Sequence, residues 1–277
     1  MKRSNNSFRN FAVKKPVLAF LAIVLPLSWI SLFTLSYYGL PNEPGLLIMT
    51  YGGLLGMSIL ITYWLHGRNG VKQLLQGVIH WRVAPGYYVI ALLAVPLLTL
   101  LLSLLIGTFR QPPEGWAALV WNYSLSLITG VLIINLWEEL GWTGFVQNRL
   151  MQYKGLLHGS LLTAPGFVAI HIPLIFDDPN LTVVLTDFIA VVVLSIFFRY
   201  LLGMIFLDTQ GSILIVGLLH ASQNSANDLE AVTGEYGMIL AVIILTLIIA
   251  VYRVMCGKSA VSGSLPELHV KNKRKID

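Results

Sequence analysis

Charge is the feature that this sequence most lacks. Only 11% of its 277 residues are Asp, Glu, Lys or Arg, whereas an ordinary soluble domain carries about 25%. More than half of the residues, 56%, are apolar, and the mean hydropathy is +0.75. These values exclude a soluble globular domain. We predict an all-α fold, a polytopic bundle of helices in a lipid bilayer.

Cysteine and several catalytic signatures are missing too. The single cysteine, Cys256, excludes an internal disulfide. The chain has no HExxH helix, GxSxG elbow or P-loop, and no dinucleotide-binding glycine motif in a suitable context. The apolar run after the basic first 15 residues is too long for a cleavable signal peptide. The net charge of +5 is interpreted as a topology signal, so no nucleic-acid partner is predicted.

Eight apolar segments approach the length of about 20 residues that a helix needs to cross a bilayer. We predict a basic cytoplasmic N-terminus at 1–15, one transmembrane domain at 16–257, and a basic, mobile cytoplasmic tail at 258–277. Apolar residues between 71 and 78 recur at helical spacing, which predicts a helix along the interface. The eight predicted spans are residues 16–40, 45–65, 86–108, 117–147, 156–176, 181–207, 211–227 and 234–256.

The basic residues divide unevenly between the two sides of this eight-span arrangement. With the N-terminus inside, 17 of the 18 Lys and Arg residues, Arg199 among them, fall on the inner side. Only Arg110 falls outside, and the outer loops carry acidic residues instead. Because basic loops stay in the cytoplasm, we predict both termini there and the plasma membrane as the location.

Two adjacent glutamates, Glu138 and Glu139, stand inside the apolar stretch VLIINLWEELGWTGF. A carboxylate at bilayer depth costs several kcal/mol unless it is neutral, paired or wet, so an intramembrane carboxylate predicts a functional site. Neighbours on a helix point roughly 100° apart, so only one of the two can aim straight at a given site. Asn135 is three and four residues before them, within hydrogen-bonding reach of either.

Two histidines, His171 and His220, also fall within predicted spans. His220 and Asn224 are four residues apart, as are Phe167 and His171, so each pair shares a helix face. The simplest way to shield these polar groups from lipid is to converge them in one wet cavity. Each alone could instead be a structural partner between helices.

Such a cavity could perform hydrolysis or hold a metal ion. A carboxylate can take a proton from water, a neutral histidine can orient that water, and a second histidine with an amide can stabilise an oxyanion. Glu138, His171 and His220 would equally make a divalent site, such as one for zinc, with open positions. The residues leave both alternatives open.

The order Glu-Glu, Phe-x-x-x-His and His-x-x-x-Asn on successive spans resembles the CPBP family. This family comprises type II CAAX prenyl proteases and bacteriocin-processing or self-immunity proteins, also called Abi. The resemblance covers about 118–228. It implies an intramembrane endopeptidase in which Glu138 activates water with help from His171, and His220 and Asn224 form the oxyanion hole. The family has been described both as metal-dependent and as metal-independent glutamic proteases. Its implied substrates are peptides or membrane proteins, prenylated or otherwise membrane-associated.

One position departs from the family pattern, which usually reads Glu-Glu-x-x-x-Arg. Thr143 stands where the arginine is expected, so Glu139 loses an ion pair one helical turn away. We predict Glu139, Thr143, Asn135 and Phe167 as supporting residues, with Glu139 protonated, bonded by Asn135 or Thr143, or paired from another helix. The departure supports an alternative function, a non-proteolytic immunity or scaffold protein or a small proton-coupled transporter.

Overall fold

The computed structural model describes residues 7–234 and 236–265, and its long elements are all helices. Predictions that concern residues 1–6, 235 and 266–277, including the basic clusters near both ends, lie outside the described residues. In chain order the helices are α1 (Ser7–Lys14), α2 (Pro16–Tyr37), α3 (Glu43–Gln76), α4 (Pro85–Ile106), α5 (116–154), α6 (156–175), α7 (Leu181–Asp208), α8 (Ile213–Asn227) and α9 (Tyr236–Met255).

The predicted membrane bundle is confirmed. Six helical runs in the described part of the chain are long and apolar enough to cross a bilayer, and one of them is the 60-residue run Trp116–Ile175. This run folds back on itself at Gly155. The evidence is a contact across the break, where Gln147 Nε2 lies 3.0 Å from Ser160 Oγ. A straight helix would separate those residues by about 20 Å. The run therefore supplies two of the predicted segments, α5 and α6.

Two glycines create the breaks that let the chain turn at one end of the bundle. Gly155 has φ 77° and Gly67 has φ 64°, a left-handed conformation that side chains with a Cβ rarely adopt. After Gly67 the chain continues as a short helix to Gln76, the helix predicted at the interface. Each of the eight predicted spans corresponds to a helical segment.

Helix α8 is short, with 15 residues, and most of them are buried. The burial of α8 agrees with the interior position predicted for this segment, since small residues on its surface let neighbouring helices approach closely. A Cβ at Gly217 would lie 3.0 Å from the Cα of Leu136 on α5. This close approach brings the backbone of α8 to the stretch of α5 that carries the two glutamates.

The tail is predicted to be mobile from residue 258, and this prediction is wrong for the part that the structure describes. The amide of Leu157 donates to the carbonyl oxygen of Val261 at 3.0 Å, and the hydroxyl of Tyr200 donates to the carbonyl oxygen of Ala260 at 2.5 Å. Arg253 Nη2 donates to a further tail carbonyl, that of Ser259, at 3.0 Å. The backbone carbonyls of residues 259–261 are thus bound to the end of the bundle by hydrogen bonds that hydropathy cannot reveal.

Candidate active site

The two glutamates lie in a region of α5 that is not regular α-helix. A single turn, Leu136–Glu139, separates the π-helical stretches Val131–Asn135 and Leu140–Gln147. All eight residues of the second stretch are buried. A π-helical turn widens the helix and shifts the direction of the side chains that follow, and such turns are frequent at functional sites. The site therefore stands where α5 departs from the 3.6-residue repeat.

Glu139 is fully buried and fully paired. Arg199 on α7 donates to it twice, from Nη2 to Oε1 at 2.6 Å and from Nη1 to Oε2 at 3.1 Å. The hydroxyl of Thr143 donates to Oε2, and His220 Nδ1 lies 2.8 Å from Oε1. A bidentate guanidinium is the geometry that best neutralises a carboxylate. Of the alternatives for Glu139, pairing from another helix is the one found, together with a bond from Thr143.

Arg199, which the sequence analysis counts among the inner-side basic residues, lies inside the packed helices. It is fully buried, and its guanidinium lies 4.3 Å from the ring centroid of Phe167, a cation–π contact. The backbone carbonyl of Arg199 accepts from Gln147 Nε2 at 2.6 Å. A signal for this residue exists in the sequence, because it is a lone charge in the apolar run AVVVLSIFFRYLLGMIF, and such a charge indicates an intramembrane site.

The ring of Phe167 connects the two histidines. Its centroid lies 4.6 Å from that of His171 and 5.9 Å from that of His220. His220 is buried and His171 is half-buried. The Phe167 ring thus contacts His171, His220 and Arg199, and Arg199 and His220 in turn contact Glu139.

The hydrogen bond of His171 determines which ring nitrogen faces the site. Its Nδ1 lies 2.6 Å from the carbonyl oxygen of Phe167, one turn earlier on α6. Because a carbonyl oxygen can only accept, this bond places the hydrogen on Nδ1. In the neutral ring Nε2 is then an acceptor, which is the form that can orient a water molecule.

Glu138 differs from its neighbour in its partners. Its Oε1 lies 3.4 Å from the hydroxyl of Thr50 on α3, and the residue is only 6% exposed. Among residues 7–234 and 236–265, no Lys or Arg forms an ion pair with Glu138. Thr50 has no distinguishing signal in the sequence. The two carboxylates are therefore in different settings, one neutralised and one without a counter-ion.

Two predicted residues are placed less centrally. Asn135 is buried, but its Nδ2 has no hydrogen-bond partner in the described part of the chain, so the predicted bond to either glutamate does not form. Its side-chain oxygen instead faces Gly130, where a Cβ would lie 3.0 Å away. Asn224 is exposed, one turn beyond His220 on α8.

The metal site predicted at Glu138, His171 and His220 stays a prediction. In the described residues no three His, Cys, Asp or Glu side chains gather closely enough to hold a metal ion. The steps proposed below use the protein's own side chains.

A comparison with known families supports the assignment of this region. The family model described as Type II CAAX prenyl endopeptidase Rce1-like matches residues 120–226. The CPBP resemblance is confirmed. The matched CPBP segment is less than half of the chain, but it runs from α5 to α8 and contains both glutamates, both histidines, Arg199 and Asn224. The match indicates a membrane endopeptidase of the CAAX type. The curated proteins include no match to the chain.

Proposed function

We propose that the protein hydrolyses peptide bonds of membrane-associated substrates with a water molecule that Glu138 activates. The observation that carries the proposal is the separation of the two glutamates. Arg199 neutralises Glu139, whereas Glu138 has no cation partner among the described residues. A carboxylate without a fixed counter-ion is free to accept the proton of an attacking water.

His171 acts with Glu138 in the first step. With its hydrogen on Nδ1 toward the Phe167 carbonyl, the neutral ring offers the lone pair of Nε2 to the water. Glu138 takes the proton as the water oxygen attacks the scissile carbonyl carbon, and it later passes that proton to the leaving amine. The buried surroundings strengthen every electrostatic contact in this step.

His220 and Asn224 stabilise the oxyanion that forms. Nδ1 of His220 faces the Glu139 carboxylate, so Nε2 lies at the opposite edge of the ring, where it can face a substrate. Because a carboxylate only accepts, the Nδ1 hydrogen belongs to this contact, and Nε2 donates to the oxyanion in the doubly protonated ring, whose charge Glu139 stabilises. Asn224 adds a side-chain amide one turn away on the same helix. Donors held in advance of the reaction need no rearrangement when charge develops, and losing one costs about 10²–10³ in rate.

The alternative, a non-proteolytic immunity protein or a proton-coupled transporter, loses its main support. That support was the replacement of the motif arginine by Thr143. The guanidinium of Arg199 reaches the same carboxylate from α7, so the departure does not deprive Glu139 of a counter-ion. The protease is therefore the function that we favour.

The test compares membrane peptides from cells that make the wild-type protein or Glu138→Gln. We expect a fragment that is present with wild type and absent with Glu138→Gln. The matched control Glu43→Gln, a change of the same kind at an exposed residue, should keep the fragment. Identical peptides with both variants would refute the proposal. Treatment of the purified protein with a chelator addresses the metal question separately: cleavage that persists supports side-chain chemistry alone, and cleavage that is lost supports a metal at Glu138, His171 and His220.

A further inference from the structure

A polar cleft, separate from the candidate active site, lies at the end of the bundle where Gly67 and Gly155 turn the chain. It has a volume of about 190 Å³ and is lined by residues of α1, the start of α2, α3 and α5. Its polar lining residues include Lys14, Thr62, His66, Asn148 and Arg149. This cleft shares no residue with the catalytic machinery proposed above.

The charge of the cleft has one sign. None of its twelve lining residues is acidic, and two of them are Lys14 and Arg149. The Arg149 guanidinium is held in place, because Nη1 donates to the carbonyl oxygen of Phe145 at 2.8 Å and the group lies 3.9 Å from the ring centroid of Phe145. Two cations without a carboxylate beside them attract an anion.

Two buried polar atoms in the cleft lack partners. The hydroxyl oxygen of Thr62 and the side-chain oxygen of Asn148 have no hydrogen-bond partner within the described ranges, and Thr62 is fully buried. Buried polar groups are normally satisfied. The Thr62 hydroxyl can donate to a phosphate oxygen, and the Asn148 oxygen can accept from a hydroxyl on the same ligand.

The depth of the cleft points to a lipid as the source of that ligand. Pro16 is the first residue of the apolar span α2, and Thr62 to His66 form the last turn of α3 before the break at Gly67. Both edges of the cleft therefore stand at the boundary of the hydrocarbon, where phospholipid phosphates lie. A volume of about 190 Å³ equals that of roughly six water molecules, which is room for a phosphate and a small polar substituent.

We propose that this cleft binds the headgroup of an anionic phospholipid whose phosphate carries a hydroxylated substituent, as in phosphatidylglycerol. Lys14 and Arg149 pair with the phosphate, the Thr62 hydroxyl donates to it, and Asn148 accepts from the headgroup hydroxyl. The proposal does not depend on proteolysis, so it stands or falls separately from the proposed function.

Native mass spectrometry of the full chain in detergent micelles tests this site. Phosphatidylglycerol should remain bound to wild type at concentrations where phosphatidylcholine does not. Each basic residue near a membrane surface contributes about 1 kcal/mol, roughly fivefold in affinity. Lys14→Gln should therefore raise the apparent Kd about fivefold, and Lys14→Gln with Arg149→Gln about 25-fold. Thr62→Val, which keeps the shape of the side chain, should also weaken binding.

The matched control removes two charges from the same end of the bundle but outside the cleft. Lys72 and Lys154 are exposed, and Lys72→Gln with Lys154→Gln should leave the preference for phosphatidylglycerol intact. Equal retention of the two lipids by wild type would overturn the proposal, as would an equal loss in both double variants. Tight binding of inorganic phosphate without a lipid preference would assign the cleft to a soluble anion and refute the lipid. Because Lys14 is exposed, Lys14→Gln should fold normally. A loss of lipid binding in this variant can therefore not be attributed to misfolding.

Discussion

The ion pair between Glu139 and Arg199 leads to a prediction about relocating a charge. Both side chains have no exposed surface and share two hydrogen bonds, at 2.6 and 3.1 Å. Arg199→Ala would leave the carboxylate buried without a counter-ion, at a cost of about 3–5 kcal/mol. For a protein of this size, that loss lowers the melting temperature by roughly 10 °C.

The second step restores the charge at the position where the family pattern has it. Thr143 already reaches Glu139 with its hydroxyl, and Arg199→Ala vacates space for a longer side chain. Thr143→Arg combined with Arg199→Ala should therefore recover most of the lost stability. Thr143→Met combined with Arg199→Ala fills a similar volume without a charge and should not. Thr143→Arg alone should destabilise, because it buries a second cation with no carboxylate to match it.

Thermal unfolding of the purified variants in detergent measures the stability. The peptide comparison described for Glu138→Gln measures whether cleavage returns with the relocated arginine. A melting temperature of Arg199→Ala within about 2 °C of wild type, less than a 1 kcal/mol effect, would refute the assigned role of the pair. Equal recovery with Thr143→Met would show that volume rather than charge is what Glu139 requires.

The remaining stability predictions use the same measurement of thermal unfolding. Gly159→Ala should lower the melting temperature strongly, because its Cβ would stand 2.5 Å from the backbone nitrogen of Met151, and overpacking of this kind costs about 1–3 kcal/mol. Gly86→Ala, where nothing lies within 4 Å, is the control, and an equal effect would contradict the close packing of the hairpin. Asp208→Asn should cost about 3 kcal/mol or more, because Arg253, 4% exposed, pairs with it. Lys258→Gln should cost less than about 1 kcal/mol, because half-exposed pairs contribute little. The hydrogen bond from Lys258 to Asp208 raises the pKa of Lys258, so its contribution should persist at neutral pH and disappear only as the pH rises through that raised pKa. A larger effect of Lys258→Gln than of Asp208→Asn would contradict the conclusion that Arg253, and not Lys258, is the main partner of Asp208.

Much of this protein could be predicted from local sequence. Hydropathy alone located the membrane segments, because a helix in lipid must satisfy its own backbone and cover its length with apolar side chains. The adjacent Glu138 and Glu139, and the four-residue spacings that begin at Phe167 and His220, indicated a shared site for the same reason. Each signal depends only on residues within one or two helical turns.

The tertiary structure decided which of the two glutamates is neutralised. Arg199 lies 60 residues from Glu139 in the chain and on a different helix, and no periodicity connects them. From the sequence, Arg199 could equally be a basic residue at the inner end of a span. Hydropathy reports composition and does not show in which direction a side chain points. Helix α7 packs against α6 and against the π-helical stretch of α5, and this packing brings the Arg199 guanidinium to the Glu139 carboxylate. Burying a charged carboxylate without a partner is costly, and Arg199 removes that cost for Glu139. Only the packed structure could show that the missing arginine of the motif is replaced from another helix.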